Sequence, residues 1–335
     1  MTQFQQRELD MSIKIFFTGI NAGTADNLGV ETGLTAIARR QGYDICVGVA
    51  DAPDLVICVD YDKRFDKILK EASKAKVPLV LVKQEPKVVC PAHRFENPKG
   101  IFNLVIKRAA EKNVPIFPAH QDWDTSFLHV GIRRKKVIAI SSDKWSFVPG
   151  ELYSLRLKMY SQDVRIDLFG NGWGQPNWNR ALLIAKELII CVRACLVPSI
   201  SNLAVAFLKP LNFKGIAKNK LEVLSAYHAS LVIENDESSM SEKLIDCILA
   251  GTIPIYVGPP VLAFNIPDDL VIHSKSDTSS IQRAMDEALR WDSKEYRSRA
   301  WDWASQDITR STWDSEEVGI RLLAHVIDRI LSIDT

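Results

Sequence analysis

The chain has 335 residues, of which 47% are hydrophobic and 25% charged, with a formal net charge of +1. That length accommodates two domains with separate cores, and that composition belongs to a globular protein, not to a disordered, coiled-coil or collagen-like chain. The near-zero charge argues against a nucleic-acid protein acting through a generally basic surface, although it is compatible with a positive cleft.

The polar start "MTQFQQRELDMSIKIFF" has no basic segment followed by a long apolar core, so it is not a signal peptide. Nowhere do about eighteen uninterrupted apolar residues occur, so no membrane span is expected and the protein reads as cytoplasmic. Cys46, Cys58, Cys90, Cys191, Cys195 and Cys247 mostly sit inside apolar runs, with no CxxC and no Cys/His cluster at metal spacing. They read as free thiols in a reducing compartment.

In chain order, "SIKIFFTGI" predicts a strand, "TGLTAIARRQG" a short helix, "DICVGVA" and "DLVICVD" strands, "DKILKEASKAK" a helix and "VPLVLVKQ" a strand. "IFNLVIKRAAEK" fits strand or helix equally well. Around "HQDWDTSFLHVGIRRKK" the alternation breaks, and the basic run Arg133 to Lys136 reads as a solvated hinge. A second alternating set follows: strand "KVIAISS", helix "ELYSLRLKMYSQ", strand "VRIDLFG", helix "KLEVLSAY", strand "ASLVIEN". A further helix and strand come from "VIENDESSMSEKLIDCILAGTIPIYVG". Helical "DTSSIQRAMDEALRWDSKEYRSRAWDWASQD" and the amphipathic helix "SEEVGIRLLAHVIDRILS" end the chain. Apolar β-rich runs alternating with amphipathic helices signal parallel sheets covered on both faces. Two such sets predict two Rossmann-like domains facing each other across a cleft, over residues 1–132 and 133–311. The helix of 312–335 packs back on the first by analogy with two-domain transferases.

In open parallel sheets, ligands bind beyond the carboxyl ends of the strands, so polar residues just after strands carry the functional information. Glu234 and Asn235 follow one strand, and Ser239-Met-Ser-Glu242 has capping-box spacing ahead of the apolar stripe Leu244, Ile245, Ile248 and Leu249. A well-capped helix with a solvated Lys243 accounts for this. However, a lysine in a first turn opposes the helix dipole and suits a phosphate, and neither propensity nor packing asks for it. Arg156, with Lys158, is either the exposed face of a helix or a guanidinium able to grip two phosphate oxygens. "DLFGNGWG" (Asp167 to Gly174) runs a strand into three glycines, a tight turn or a close backbone approach to a ligand. Glu85 follows a buried strand and precedes Pro86; it is a strand-end glutamate or a general base. "DWD" (Asp122 to Asp124) has the form of a metal site but matches by chance often. His93, His120 and His129 show no ligand spacing. "NAGTADNLG" (Asn21 to Gly29) serves as a ligand loop or a surface loop.

The run "ASLVIENDESSMSEKLIDCILAGTIPIYVGPP" resembles the signature of the α1,3/α1,4-fucosyltransferases, glycosyltransferase family 10: an apolar strand ending in Glu-Asn, a short loop, Thr/Ser-Glu-Lys, an apolar helix, and a Pro-containing strand closing on Gly-Pro. "KKVIAISS", the helix around Arg156 and "IDLFGNG" resemble the family's preceding elements in the same order. The resemblance is strong over roughly residues 135 to 275. In the first 130 residues it rests mainly on Glu85. It implies an α/β protein of GT-B type and an inverting enzyme that moves fucose from GDP-fucose to a glycan hydroxyl. Lys243 and Arg156 would then contact the diphosphate and Glu242 the ribose, with Glu234, Asn235 and Ser241 lining the pocket and Glu85 acting as base. No cofactor is required, no metal site is implied, and a divalent ion is at most stimulatory. The partners are a nucleotide sugar and a glycan acceptor, while acceptor identity and oligomeric state stay open. A transferase using another sugar nucleotide and a non-catalytic nucleotide-binding protein are the alternatives, because Lys, Arg and Glu recognise diphosphate and ribose rather than the sugar. The loop "DESSMS" is shorter and more acidic than the family's and lacks its aromatic, so Asp236 and Glu237 must point away from a diphosphate. With no stem or anchor ahead of the catalytic part, a soluble bacterial or viral form is expected.

Overall fold

The central strands carry apolar residues on both faces, and this dictates the layering. The computed structural model describes residues 13–19, 33–107, 123–129, 131, 133–174, 177–193 and 203–332. The chain forms two compact units, Met1–Phe117 with Ser315–Thr335, and Pro118–Asp314.

In the first unit, β1 (Lys14–Gly19), β2 (Asp44–Cys46), β3 (Leu55–Val59), β4 (Leu79–Lys83) and β5 (Leu104–Lys107) form a parallel sheet in the order β2-β1-β3-β4-β5. Alternate residues feed opposite faces, as a period of two requires. Ile15, Phe17, Leu55, Ile57, Val59, Val80 and Val82 join one core with Leu34 and Ile37 of α1 (Gly33–Arg40) and Leu322, Leu323 and Val326 of the terminal helix Ser315–Leu331. Phe16, Val56, Cys58, Leu79 and Leu81 join the other with Leu69 and Ala72 of α2 (Asp66–Lys74). Each fully buried leucine or valine here contributes roughly 1.5–3 kcal/mol, so the terminal helix is a structural part of this unit.

The ambiguous run resolves into β5. Asn103 donates its N–H to the Leu79 carbonyl and accepts the Leu79 N–H on its side chain, both at 2.8 Å, locking the segment alongside β4. The strand predicted over "DICVGVA" stops after three residues. The Asp51 carboxylate takes the N–H groups of Val47 (2.8 Å) and Gly48 (3.1 Å) and curls the chain into a 3-10 turn.

The second unit has β6 (Arg134–Ile140), β7 (Ile166–Phe169), β8 (Phe213–Gly215), β9 (Tyr227–Ile233), β10 (Ile253–Val257) and β11 (Ile272–His273), all parallel, in the order β11-β10-β9-β6-β7-β8. Its helices are α3 (Tyr153–Gln162), α4 (Asn177–Arg193), α5 (Lys220–Ser225), α6 (Glu242–Leu249), α7 (Thr278–Ala288), α8 (Ser293–Ala304) and α9 (Asp307–Trp313). The order reverses between β6 and β9, and the corresponding reversal in the first unit lies between β1 and β3. Such points leave a crevice at the carboxyl ends of the strands.

The basic run is not a hinge. Arg134 to Lys136 open β6, and Arg133 donates to the Ala250 carbonyl (2.8 Å) and to Thr252 Oγ1 (3.2 Å). Residues 123–129 also pack within the second unit: Trp123 Nε1 donates to the Ala304 carbonyl, and His129 lies 4.9 Å from the Trp301 ring. The division therefore falls at Phe117/Pro118 rather than at 132/133. The sequence shows no clear signal for α4 or β8. The outward side of α4 exposes Leu182, Ile189 and Val192, so no apolar stripe stands out, and three residues of β8 are too few to show a period.

Gly170 follows β7 with φ +142°, and a Cβ there would sit 1.8 Å from the carbonyl oxygen of Ser141, the residue after β6. Gly170→Ala is expected to cost about 2 kcal/mol or more, through backbone strain and overpacking together. The urea-unfolding midpoint relative to wild type measures it.

Candidate functional site

The carboxyl end of β9 is assembled around two buried groups. Glu234, fully buried, continues the ladder by donating its N–H to the Val257 carbonyl (2.9 Å) and turns its side chain back on the loop. Its carboxylate accepts the Ser241 N–H (2.9 Å) and the Ser241 hydroxyl (2.5 Å). Gly258, after β10, makes room for this, since a Cβ there would lie 2.7 Å from Glu234 Cγ. Arg156, 2% exposed, donates through Nε (2.8 Å) and Nη2 (2.5 Å) to the Ile233 carbonyl, and through Nη2 to Asn235 Oδ1 (3.0 Å). The Asn235 carbonyl in turn accepts the Leu152 N–H at 3.0 Å. Arg156 is thus not on an exposed helix face. Its Nε–Nη2 edge is spent on the protein, so the two-oxygen grip foreseen for a phosphate is not available there.

Helix α6 starts at Glu242, with Ser241 rather than Ser239 at its N-cap, and no side-chain capping bond forms. The capping box fails because the Ser241 hydroxyl is committed to Glu234, while the Ser239 hydroxyl donates to Asp236 Oδ1 at 2.8 Å. Lys243 is half-buried in the first turn, and its Nζ donates to Ser241 Oγ at 2.9 Å, so ammonium, hydroxyl and buried carboxylate form one chain. Burial lowers the Lys243 pKa and, assisted by Arg156 and Lys220, outweighs the pull of Glu242 and Glu234. For Glu242, desolvation acts upward, but Lys243 and Lys220 bring it down to about 2. Lys220 bridges Glu242 (3.3 Å) and Asp246 (3.4 Å). At neutral pH the helix N-terminus therefore carries a charged Glu242 among lysines, next to amides that favour an anion. Of the loop's two acids, Asp236 is turned inward and Glu237 stays exposed. Asp236 is 2% exposed and accepts from Ser238 and Ser239, and Glu237 accepts from the Ser276 hydroxyl at 3.0 Å.

The glycine run after β7 borders a cavity of about 320 Å³ whose walls include Asp143, Gly172, Trp173, Arg180 and Lys209. Trp173 donates Nε1 to the Ser141 carbonyl (2.6 Å), and Arg180 pairs with Asp143. Neither Asp143 nor Arg180 was singled out in the sequence, where nothing ties two residues so far apart. In the "DWD" run, Asp124 accepts the Ser126 N–H (2.8 Å) as a turn cap, and Asp122 lies outside the described residues, as do His120 and residues 21–29. Among the described residues no group of three His, Cys, Asp or Glu side chains could hold a metal ion.

Glu85, in the first unit, is half-buried two residues after β4. Asp60, fully buried after β3, accepts the N–H groups of Gln84 (2.7 Å) and Glu85 (2.9 Å) on Oδ1. His93 Nδ1 lies 2.8 Å from the Glu85 carbonyl oxygen, which can only accept, so Nδ1 carries the proton. Asp60 was legible as the polar residue ending "DLVICVD"; His93 gave no signal, because its partners come from other segments.

No family model matches the sequence, and no curated protein matches it by sequence. By structure the chain is similar to an α1,3-fucosyltransferase, with a TM-score of 0.53 and 12% identity over 96% of this chain and 91% of that one. It is also similar to the Anabaena protein HepE in complex with UDP and glucose, with a TM-score of 0.55 and 10% identity over 94% of this chain and 100% of that one. This likeness, with the two parallel sheets, defines the fold as GT-B. No helix of the described residues is long and apolar enough to cross a membrane.

Burial lowers the His93 pKa from 6.5 to about 4. The unfolded chain takes up this proton near pH 6.5 and the folded chain does not, so stability falls as pH drops from 6.5 to 4, by about 3 kcal/mol in all. Urea unfolding of wild type and His93→Asn between pH 7 and 4 is expected to show that part of the decline missing in the variant.

Proposed function

We propose that this protein is an inverting glycosyltransferase that moves fucose from GDP-fucose to a hydroxyl of a glycan acceptor. The observation that carries the reading is the Lys243–Ser241–Glu234 chain at the start of α6, with Arg156 behind it, all at the end of β9 where the strand order reverses. That arrangement offers cationic side chains and helix amides to a diphosphate. The sequence resemblance to the α1,3/α1,4-fucosyltransferases falls on the same residues, and an α1,3-fucosyltransferase is among the structures that share the fold.

In this reading Lys243 and Arg156 supply positive charge where the departing diphosphate gains negative charge, an effect worth several kcal/mol in a dry site. The reading calls for no cofactor. Glu242 accepts from the ribose hydroxyls, which an acid held down to about 2 can do at any physiological pH. Asn235 and Glu234 shape the pocket floor. Glu85 takes the proton from the acceptor hydroxyl as that oxygen bonds to the anomeric carbon; the bond from that carbon to the diphosphate breaks, and GDP leaves with the electron pair. A single base with a stabilised leaving group inverts the centre. A donor carrying UDP is the second reading, favoured by the shared fold with HepE, which was solved with UDP and glucose.

Calorimetric titration with GDP, UDP, ADP, CDP and GDP-fucose tests the donor. Selective binding of GDP and GDP-fucose is expected; preference for UDP would replace fucose by another sugar, and no binding would leave only the fold. Lys243→Ala is expected to weaken GDP binding by about tenfold to a hundredfold, the loss of one charge-assisted contact, and unchanged affinity would remove Lys243 from the site. Glu85→Gln is expected to lower turnover by about 10²–10⁴-fold with GDP affinity kept, and undiminished turnover would end its role as base.

A further inference from the structure

Glu85 is gripped on both sides of its Cα. Its own N–H and that of Gln84 go to one oxygen of Asp60, and its carbonyl takes the Nδ1 proton of His93. Peptide groups are planar, so holding the N–H on one side and the C=O on the other fixes both backbone dihedrals between them. The direction of the Cα–Cβ bond is then set. Pro86 narrows the backbone further by keeping Glu85 out of the helical region.

The two gripping residues are built in. Asp60 is fully buried, at φ +57°, and the His93 side chain is 3% exposed. His93 is itself held, because the buried Lys83 at the end of β4 donates to the carbonyls of Phe95 (2.6 Å) and His93 (3.4 Å). The Cys90 thiol, on the same loop, donates to the Tyr61 carbonyl at 3.1 Å. The loop from Gln84 to Phe95 is thus pinned to the ends of β3 and β4 by a carboxylate and an ammonium, and braced across itself by an imidazole. Burying three such groups is costly, and a loop that only joined β4 to β5 would not need them.

We propose that Asp60 and His93 are positioning residues that aim Glu85 at the acceptor hydroxyl. This rests on the reading of Glu85 as the general base. A base displaced by about 1 Å slows the chemical step by up to about a hundredfold while leaving substrate binding nearly intact. The expected signature is a fall in kcat at constant KM, restored only by side chains that remake the same two bonds.

The substitutions follow from the geometry. Asp60→Gly removes the acceptor without straining a positive φ, and Asp60→Asn keeps both the acceptor and the tolerance for that φ. His93→Asn offers an N–H close to the Nδ1 position, whereas His93→Gln places it one atom further out. Release of nucleoside diphosphate is followed with the sugar nucleotide selected by calorimetry and N-acetyllactosamine as the acceptor probe, on variants whose thermal melts show them folded at the assay temperature. Asp60→Gly and His93→Gln are expected to lose about tenfold to a hundredfold in kcat with KM within about twofold of wild type, and both asparagine variants to stay near wild-type kcat. If Glu85→Gln abolishes turnover while folded His93→Gln and Asp60→Gly keep full kcat, the positioning role is overturned and the base survives. A loss of the asparagine variants' activity equal to that of the other two overturns it as well. If Glu85→Gln turns over like wild type, or wild type does not turn over at all, the base reading falls and this one with it.

Discussion

The end of β9 depends on one buried cation. A strand in a parallel sheet must stop somewhere, and its last carbonyls then need partners. At Ile233 the partner is the Arg156 guanidinium, which reaches the carbonyl from α3 with two N–H groups and Asn235 with a third contact. A guanidinium that is 2% exposed is tolerated only because its donors are met in this way. The consequence runs outward. With Asn235 fixed by both Arg156 and Leu152, Glu234 must turn inward, Ser241 is drawn to it, and α6 starts where Lys243 meets that serine.

The two units solve the same problem with the same chemistry. Each places a fully buried carboxylate next after a central strand, Asp60 after β3 and Glu234 after β9. Asp60 accepts two backbone N–H groups and Glu234 one, with a hydroxyl, from the loop each faces, and each holds a candidate functional residue: Glu85 in one case, Lys243 through Ser241 in the other. A carboxylate can be buried this way because several N–H or O–H donors replace its water. Loops fixed from within a core can present side chains with little residual freedom, which binding and catalysis both require.

Much of this was legible in the sequence, for identifiable reasons. Alternation of apolar β-rich runs with amphipathic helices is a local signal, so both parallel sheets could be foreseen. Glu85, Glu234, Asn235, Glu242 and Lys243 stood out because they directly follow strands or open a helix, where ligands of such sheets bind. Other features were hidden. Arg156 stood out as an exposed helix arginine or a phosphate ligand, but its burial did not show, since nothing in "LYSLRLKMY" says that this side of the helix faces the end of a strand 77 residues later. His93 is one of several histidines without ligand spacing. In the basic run Arg134 to Lys136 are exposed, as a solvated run should be, but the half-buried Arg133 was not foreseen, because charge is a poor guide to burial when the partners are backbone carbonyls from residues 227 and 250.

The sequence by itself determined the periodicities, the class of fold and the short stretch where Glu, Asn, Ser and Lys gather around one helix start. These are properties of neighbours along the chain, fixed by the geometry of strands and helices. The tertiary structure alone decided which charges are buried, who holds them and where each functional side chain points. It put Asp60, Glu85 and His93 in one cluster and tied Arg156 to Ile233, contacts that span from 8 to 77 positions. The energy of such contacts comes from desolvation and satisfied hydrogen bonds among groups distant in sequence, and no local pattern encodes it.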